Sequence, residues 1–306
     1  MLRLQLGFNE LKHRTSLDMN TLPLRLGLTM WSHSAWQAGF YGSGTQNSER
    51  LEKYARVFHT VEGNTTFYAT PSASTVQNWR AATHDDFRFT FKLPKSITHD
   101  QKLRGCEGLL KDFMAVMQPI HDRVGMWTIQ LPAQFSPKDL PALRSFCRLF
   151  PKEFPLGVEV RHLDFFNKGQ EEQELNRWLH EEGIDRIIMD SRPVHSAEPI
   201  SDAVIDAHKK KPKVPAHAVS TSNRPMIRFI GHPEFEANLP FFQPWIKKLP
   251  DWIAEGKQPY LMIHTPDNNE SPEFARRLYG ELQKAVDLPE LAHPPALSDN
   301  KQISMF

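Results

Sequence analysis

Short apolar segments alternate with longer amphipathic segments along most of the chain. A continuous apolar run of about four to eight residues is typical of a strand buried on both faces, and apolar residues three and four apart are typical of a helix. The pattern predicts strands over residues 24–29, 60–67, 87–93, 126–131, 156–161, 186–190, 226–230 and 260–264. It predicts helices over residues 49–58, 73–82, 103–120, 137–150, 171–182, 201–210, 240–254 and 272–286.

The order of these segments predicts the fold. Eight strand-then-helix units within about 260 residues match a single closed (β/α)8 TIM barrel, an α/β fold with parallel strands. An open doubly wound sheet is the alternative, but it usually carries a glycine-rich turn after its first strand, and residues 29–34 contain no glycine. We therefore predict an N-terminal extension over residues 1–22, the barrel over residues 23–287 and a flexible tail over residues 288–306.

Composition excludes some classes of protein. The formal net charge of +1 argues against a protein that coats nucleic acid through overall basicity, although it leaves room for a local basic site. No segment approaches the roughly 20 apolar residues of a membrane helix, and residues 1–22 lack the apolar core of a signal peptide. Cys106 and Cys147 form no C-x-x-C pair, so we expect free thiols and a cytoplasmic location.

Polar residues follow the predicted strands at the ends where barrel enzymes place their active sites. The two-residue period of a strand puts Glu62, Asn64, Thr66 and Tyr68 on one face of the second strand. The other strand ends supply Trp31, Ser32, His33, Lys92, Gln130, Glu159, Arg161, His162, Asp190, Arg192, Arg228, His232, His264 and Asp267. Each residue taken singly also fits a structural ion pair or hydrogen bond, but all eight strands contribute at the same end, so we predict a ligand site there.

The residue types suggest roles within that site. Glu62, Glu159 and Asp190 are the candidates for general acid or base. The candidates for binding a substrate or an anion are Trp31, His33, Asn64, Tyr68, Lys92, Gln130, Arg161, Arg192, Arg228 and His264. A divalent metal is a further option with His162 and His232 as candidate ligands, although no H-x-H or H-x-x-x-H spacing supports it.

One connection is unusually long. Residues 193–224 separate the sixth and seventh strands, and long connections in compact domains often act as lids. Four lysines lie in this segment, at positions 209, 210, 211 and 213. A charge run of this kind is usually a solvated surface, and we predict that role for these lysines.

Seven stretches give the sequence a close resemblance to the YecE-like family, known as domain of unknown function 72. They are W-S-H at 31–33, V-E-G-N-T-T-F-Y at 61–68, F-R-F-T-F-K-L-P at 87–94, I-Q-L-P-A-Q-F at 129–135, V-E-V-R-H at 158–162, D-S-R-P-V-H at 190–195 and F-I-G-H at 229–232. They run from the first strand to the seventh. The resemblance implies a barrel fold with no assigned activity, and it supplies no catalytic residues.

The chain ends in Gln302, Ile303, Ser304, Met305 and Phe306. This pentapeptide is similar to the motif by which bacterial replication and repair proteins bind the DNA sliding clamp. An extended tail can place the glutamine amide at one end of a groove and the two large apolar side chains in a pocket at the other. The alternative is a plain terminus with no partner.

Three functional hypotheses remain open at this stage. The first is a protein for a phosphate-containing ligand, such as a DNA phosphodiester hydrolase or a nucleic-acid-binding protein, recruited by the sliding clamp. The second is a small-molecule enzyme, such as a sugar or carboxylate isomerase or hydrolase. The third is a non-catalytic adaptor that uses the barrel as a rigid surface.

Overall fold

A computed structural model describes residues 22–297 of the chain. Its strands are β1 (Arg25–Leu28), β2 (Thr60–Gly63), β3 (Arg88–Lys92), β4 (Val124–Gln130), β5 (Leu156–Glu159), β6 (Asp185–Arg186), β7 (Ile188–Asp190), β8 (Met226–Ile230) and β9 (Tyr260–His264). All of their pairings are parallel, in the order β6-β5-β4-β3-β2-β1-β9-β8-β7.

The two outer strands of that order belong to one segment of chain. β6 pairs with β5 and β7 pairs with β8, and only Ile187 separates them. The amide of Ile187 donates to the carbonyl of Val158 on the β5 side at 2.9 Å. Residues 185–190 therefore bridge β5 and β8 as the sixth predicted strand, and the predicted (β/α)8 barrel is confirmed.

Helices cover the outside of the barrel. They are α1 (Arg50–Ala55), α2 (Thr65–Tyr68), α3 (Ala73–Ala81), α4 (Glu107–Met117), α5 (Leu140–Cys147), α6 (Gln170–Glu182), α7 (Arg192–Ser196), α8 (Asp202–Lys210), α9 (Leu239–Ala254) and α10 (Ser271–Gln283). Local chemistry sets some of their ends. The hydroxyl of Ser72 accepts a hydrogen bond from the amide of Thr75 at the start of α3, and Gly183 ends α6 with a φ of 66°.

The predicted second strand is too long. The strand ends at Gly63, and the next residues turn into the short helix α2. The hydroxyl of Thr66 donates to the carbonyl of Gly63 at 2.9 Å and to that of Lys92 at 2.6 Å, which ties this turn to β3. Asn64, Thr66 and Tyr68 therefore do not continue the face of Glu62 as predicted, because the two-residue period ends with the strand.

The barrel interior is apolar toward the amino-terminal ends of the strands. Five buried side chains form one cluster there: Met126, Ile187, Met226, Tyr260 and Met262. Position 27 on β1 requires glycine, because a Cβ there would lie only 2.2 Å from the backbone carbonyl oxygen of Thr60 on β2. This packing fills the part of the barrel nearest the amino-terminal ends of the strands. A ligand inside the barrel therefore has room only near the carboxyl-terminal ends of the strands, and we call that end of the barrel the mouth.

Residues 288–297 of the predicted tail lie against α10. The hydroxyl of Tyr279 donates to the carbonyl of Pro289 at 2.9 Å, and Arg276 donates to the carbonyl of Ala292 at 2.6 Å. The side chain of Leu288 is buried. The described start of the tail is therefore packed rather than free, and the residues Gln302–Phe306 lie outside the described residues.

None of the helices between residues 22 and 297 is long and apolar enough to cross a bilayer.

Candidate functional site

Arg228 lies at the centre of the barrel mouth and joins opposite strands. Its Nε and one terminal nitrogen donate to the two carboxylate oxygens of Glu62 at 2.7 and 2.9 Å. Its other terminal nitrogen donates to Glu159 at 2.8 Å. All three side chains are at least 95% buried. β8, β2 and β5 are therefore connected through one guanidinium group.

Two more cations extend this arrangement. Lys92 Nζ lies 3.2 Å from an oxygen of Glu62, and Arg161 donates to Glu159 at 2.8 and 2.6 Å. The result is an alternating series of charges in the order Lys92, Glu62, Arg228, Glu159, Arg161, which we call the charge chain. It contains three cations and two carboxylates, so it carries a net positive charge inside the barrel.

Strand register explains why these side chains meet. Glu62 pairs with Thr90, two residues before Lys92, and Gln130 pairs with Glu159. Neighbouring residues in register point to the same side of a parallel sheet, so these positions all face the barrel interior. The side chains predicted at the ends of the second, third, fifth and seventh strands, which are β2, β3, β5 and β8 in the structure, therefore lie together.

The cations set the charge state of the two glutamates. Burial alone raises the pKa of a carboxyl, but the charges of Arg228 and Lys92 outweigh it and hold the pKa of Glu62 far below its usual value. The pKa of Glu159 is lowered to about 2, because Arg161 and Arg228 together outweigh its burial. Both groups are ionised near neutral pH, so neither is a good general acid. Both carboxylates accept hydrogen bonds from Arg228 and balance its positive charge.

Lys211 is not a solvated surface lysine, contrary to the prediction made for the lysines of this segment. Lys209, Lys210 and Lys213 are exposed as expected, whereas Lys211 is partly buried. The hydroxyl of Ser191, at the end of β7, donates to the carbonyl of Pro212 at 2.7 Å and holds this part of the segment over the mouth. Burial and the nearby charges of Arg228 and Lys92 lower the pKa of Lys211 to about 7.

His264 completes the inner surface of the mouth from β9. Its Nδ1 is buried and has no hydrogen-bond partner among the described residues. Burial, reinforced by the charges of Lys211 and Arg228, holds the pKa of His264 well below its usual value, so the ring is neutral at pH 7. Two buried hydroxyls on the inward faces of β2 and β4, those of Thr60 and Thr128, also lack partners within residues 22–297. Buried polar atoms usually have partners, so the Nδ1 of His264 marks a place for water or a ligand at the mouth, whereas the hydroxyl of Thr60 lies at the amino-terminal end of β2, away from the mouth.

Asp190 and Arg192 do not join the charge chain. Met189 pairs with Arg228 and shares its inward direction, so Asp190 faces the surrounding helices. Its carboxylate accepts hydrogen bonds from Arg192 at 2.8 and 2.7 Å and from the indole of Trp245 in α9 at 2.8 Å. The structure thus places the third predicted acid–base candidate behind the barrel wall.

The aromatic and amide candidates occupy different places. Trp31 packs edge-on against Trp79 of α3, outside the strands. Tyr68 is 81% exposed on α2, at the rim. The amide of Asn64 donates to the carbonyl of Thr29 at 2.9 Å, which leaves its buried oxygen without a partner in the described region. Gln130 is buried at the mouth, beside its register partner Glu159 on β5.

The two histidines predicted as metal ligands, His162 and His232, and the predicted anion-binding residue His33 all stabilise loops. Nδ1 of His33 accepts from the amide of Ala35, Nδ1 of His162 from that of Asp164, and Nδ1 of His232 from that of Glu234. Residues 22–297 contain no group of three or more His, Cys, Asp or Glu side chains that could hold a metal ion. His162 and His232 are therefore not brought together as a metal site.

A second opening lies at the other end of the barrel. It is a cleft of about 430 Å³ lined by residues that precede β5, β6, β8 and β9. The hydroxyls of Thr221 and Ser222 in its wall are already bonded, to the carbonyl of Ile184 and the carboxylate of Asp185. This polar chemistry holds the loops together, so the mouth is the stronger candidate for a site.

Sequence comparisons cover nearly the whole chain. The model of the family described as "Protein of unknown function DUF72" matches residues 25–298. The chain is 48% identical over 281 residues to the UPF0759 protein YecE of Escherichia coli K12, which covers 92% of this chain and 99% of that protein. It is 25% identical over 167 residues to the UPF0759 protein YunF of Bacillus subtilis, covering 51% of this chain and 58% of that protein.

Solved structures share the fold. A DUF72 family protein from Thermotoga maritima superposes with a TM-score of 0.66 at 23% identity, covering 85% of this chain and 99% of that one. A DUF72 family protein from Enterococcus faecalis superposes with a TM-score of 0.65 at 19% identity, covering 87% and 98%. At these identities the likeness supports the barrel fold alone.

Proposed function

This chain belongs to the DUF72 family, and we propose that its barrel mouth binds a small ligand that carries a phosphate or carboxylate group. The observation that carries the proposal is the charge chain, in which three buried or largely buried cations face only two carboxylates. A buried excess of positive charge is costly unless an anion offsets it. Bringing in one anionic group restores the balance.

The free donors of the mouth suit such a group. Arg161 uses Nε and one terminal nitrogen on Glu159, so its other terminal nitrogen remains for a ligand. Arginine binds phosphate and carboxylate through planar, charge-assisted hydrogen bonds. The Gln130 amide and the His264 ring add neutral polar groups beside it. The mouth therefore offers a charged contact for the anion and polar contacts for the remainder of the ligand.

Coverage of the mouth favours a small ligand. The segment between α8 and β8 is anchored at Pro212 by Ser191, and its residue Lys211 lies close enough to Glu62 and Glu159 to respond to their charges. A chain segment in this position restricts the entry of a double helix. A sugar phosphate or an organic acid therefore suits the mouth better than a DNA duplex, and a nucleic acid would have to enter as a single strand or an end.

Arg161 and Arg192 provide a matched test. Each follows a strand-end carboxylate by two residues and pairs with it, but Arg161 lies at the mouth and Arg192 lies outside the strands. We expect Arg161→Gln to weaken the binding of inorganic phosphate or glycerol 2-phosphate about tenfold, because a charge-assisted contact is lost. Arg192→Gln should change it less than about twofold. Isothermal titration calorimetry measures both.

Equal losses in the two variants would contradict the proposal, since only one arginine faces the mouth. Failure of the unsubstituted protein to bind phosphate, phosphate esters or carboxylates at millimolar concentration would reject it outright. Titration with citrate beside glycerol 2-phosphate separates a carboxylate ligand from a phosphate ligand.

The terminal pentapeptide supports a separate proposal. We propose that residues 302–306 bind the bacterial DNA sliding clamp through Gln302, Met305 and Phe306. The expected result is that the full chain retains purified clamp in a pull-down and that a chain ending at residue 301 does not. A Met305→Ala, Phe306→Ala variant keeps the length and should also fail, because it removes both apolar anchors. Equal retention by all three chains would reject the proposal.

A further inference from the structure

We propose that the Lys211 amine is a nucleophile that forms an imine with a carbonyl compound whose anionic group is held by the charge chain. This inference rests on the proposed anion site and names the class of ligand more narrowly. It assigns a reactive role to a residue of the segment that crosses the mouth, rather than to the strands beneath it.

The first support is the position of the amine. Lys211 follows α8, its backbone amide donates to the carbonyl of Ala207 at 2.8 Å, and its carbonyl accepts a hydrogen bond from His195 at 3.3 Å. The neighbouring Pro212 is held by Ser191. These contacts fix the backbone of the residue at the edge of the mouth, so the flexible side chain extends from a defined point.

The second support is the lack of a partner. The Lys211 amine makes no hydrogen bond or ion pair with any residue from 22 to 297. The nearby carboxylates are already engaged, since Glu62 binds Arg228 and Lys92. By contrast, the exposed Lys210 is paired with Asp206 at 2.8 Å. An amine that is partly buried and unpaired is free to contact a ligand.

The third support is the surrounding charge. The fixed cations Arg228 and Lys92 and the burial of the site disfavour an ammonium at residue 211, and the pKa of Lys211 is lowered to about 7. Desolvation beside other cations is a known way to make a lysine nucleophilic, because the neutral amine is then present at physiological pH. An ordinary exposed lysine with a pKa of about 10.4 is almost entirely protonated there.

The proposed step needs no oxidant or reductant. The amine nitrogen attacks the carbonyl carbon and forms a carbon–nitrogen bond. The nitrogen then loses both of its hydrogens to the carbonyl oxygen, which leaves as water, and a carbon–nitrogen double bond remains. Addition of water reverses the step and releases the ligand. The neutral ring of His264 lies near enough to Lys211 for the charge of the amine to affect its pKa, so a polar group is available beside the reacting nitrogen.

Pyridoxal 5′-phosphate is a suitable probe because it carries an aldehyde and a phosphate. The full chain is treated at pH 7 with a low concentration of the probe and sodium cyanoborohydride, which makes an imine permanent, and the labelled lysines are mapped by mass spectrometry. We expect Lys211 to be labelled at least about tenfold faster than the exposed Lys213, because Lys211 lies at the mouth and its pKa is lowered to about 7. The rate at Lys211 should rise as the pH increases through about 7 and then level off.

Two variants and one control probe complete the design. Lys211→Arg should lose the fast label, and Lys213→Arg should keep it. Pyridoxal, which lacks the phosphate, should label Lys211 more slowly, and inorganic phosphate should slow labelling by pyridoxal 5′-phosphate. Labelling spread evenly over the exposed lysines would overturn the inference.

The outcomes separate the two proposals. Fast labelling of Lys211 by both aldehydes, with no effect of phosphate, would support the reactive amine and reject the anion site. Phosphate binding that depends on Arg161, without preferential labelling of Lys211, would support the anion site and reject the imine. Labelling by the two aldehydes and titration with phosphate give a readout of each proposal on the unsubstituted protein, so a variant that folds poorly does not remove the test.

Discussion

Replacement of Arg228 by methionine should lower the free energy of unfolding by about 3–5 kcal/mol. Methionine is similar in length but carries no charge, so Glu62 and Glu159 are left facing each other inside the barrel without their shared partner. Removing one member of a buried ion pair costs far more stability than removing one member of an exposed pair, because the charge that remains stays buried without a partner. Urea denaturation at pH 7 measures the loss, and anion binding at the mouth should disappear with it.

A surface arginine supplies the control. Arg277 pairs with Glu236 at 2.8 Å, but both side chains are largely exposed. Arg277→Met should therefore cost less than about 1 kcal/mol. Adding Glu62→Gln and Glu159→Gln to Arg228→Met should recover part of the lost stability, since the unpaired charges are then removed. A cost at Arg228 no larger than at Arg277 would show that the charge chain is not held as described.

Acid should destabilise the protein through the same two glutamates. Their pKa values in the folded state lie below the usual value of 4.5, so the folded state binds fewer protons than the unfolded chain. Their stabilisation is therefore complete above a pH of about 4.5 and is lost as the pH falls toward their folded-state values, about 2 for Glu159. For Glu159 alone this linkage amounts to about 3 kcal/mol.

The test compares the dependence of stability on pH. The variant Glu62→Gln, Glu159→Gln should be less stable than the unsubstituted protein at pH 7, because it leaves Arg228 without carboxylate partners. Between pH 5 and pH 3 its stability should fall less steeply, since two of the groups that take up protons on unfolding are missing. Glu153→Gln and Glu290→Gln, at exposed positions, should leave the slope nearly unchanged. If the curves of stability against pH were parallel for all the variants, the lowered pKa values of Glu62 and Glu159 would be contradicted.

The arrangement has a consequence for the chemistry of the mouth. Glutamates held as counter-ions orient Arg228 and Arg161, and they are not available to donate protons near neutral pH. Groups that change charge near pH 7 must lie elsewhere, and Lys211 is the one at the mouth whose pKa is shifted there. Under the two proposals, acid–base or covalent chemistry at the mouth would come from Lys211 of the covering segment, and the strand residues would hold the ligand.

Several features of the site followed from the sequence. Alternating strands and helices predicted the barrel, and the fold places the carboxyl ends of its strands at one mouth. The two-residue period placed Glu159 and Arg161 on a single face, and Arg161, two residues beyond the end of β5, donates to Glu159 at 2.8 Å. These predictions succeeded because they depend on local periodicity and on a topology that local periodicity implies.

Other features depended on tertiary structure. Strands that are buried on both faces show no polar alternation, so the sequence does not tell which side of the strand faces the interior. That is why Asp190 and Arg192, which have the same spacing as Glu159 and Arg161, were assigned to the mouth but lie against α9. Which side of a strand faces the barrel interior is set by its pairing with neighbouring strands that are distant in sequence.

The order of the strands and helices, the closed barrel and the polar residues at its carboxyl-terminal end could all be predicted from local patterns in the chain. The folded structure was needed to show which of those residues lie together, and that Lys211 rather than its neighbouring lysines lies near them. The physical reason is distance along the chain. Arg228 meets Glu62 across 166 positions and Glu159 across 69, and no local pattern encodes contacts of that separation.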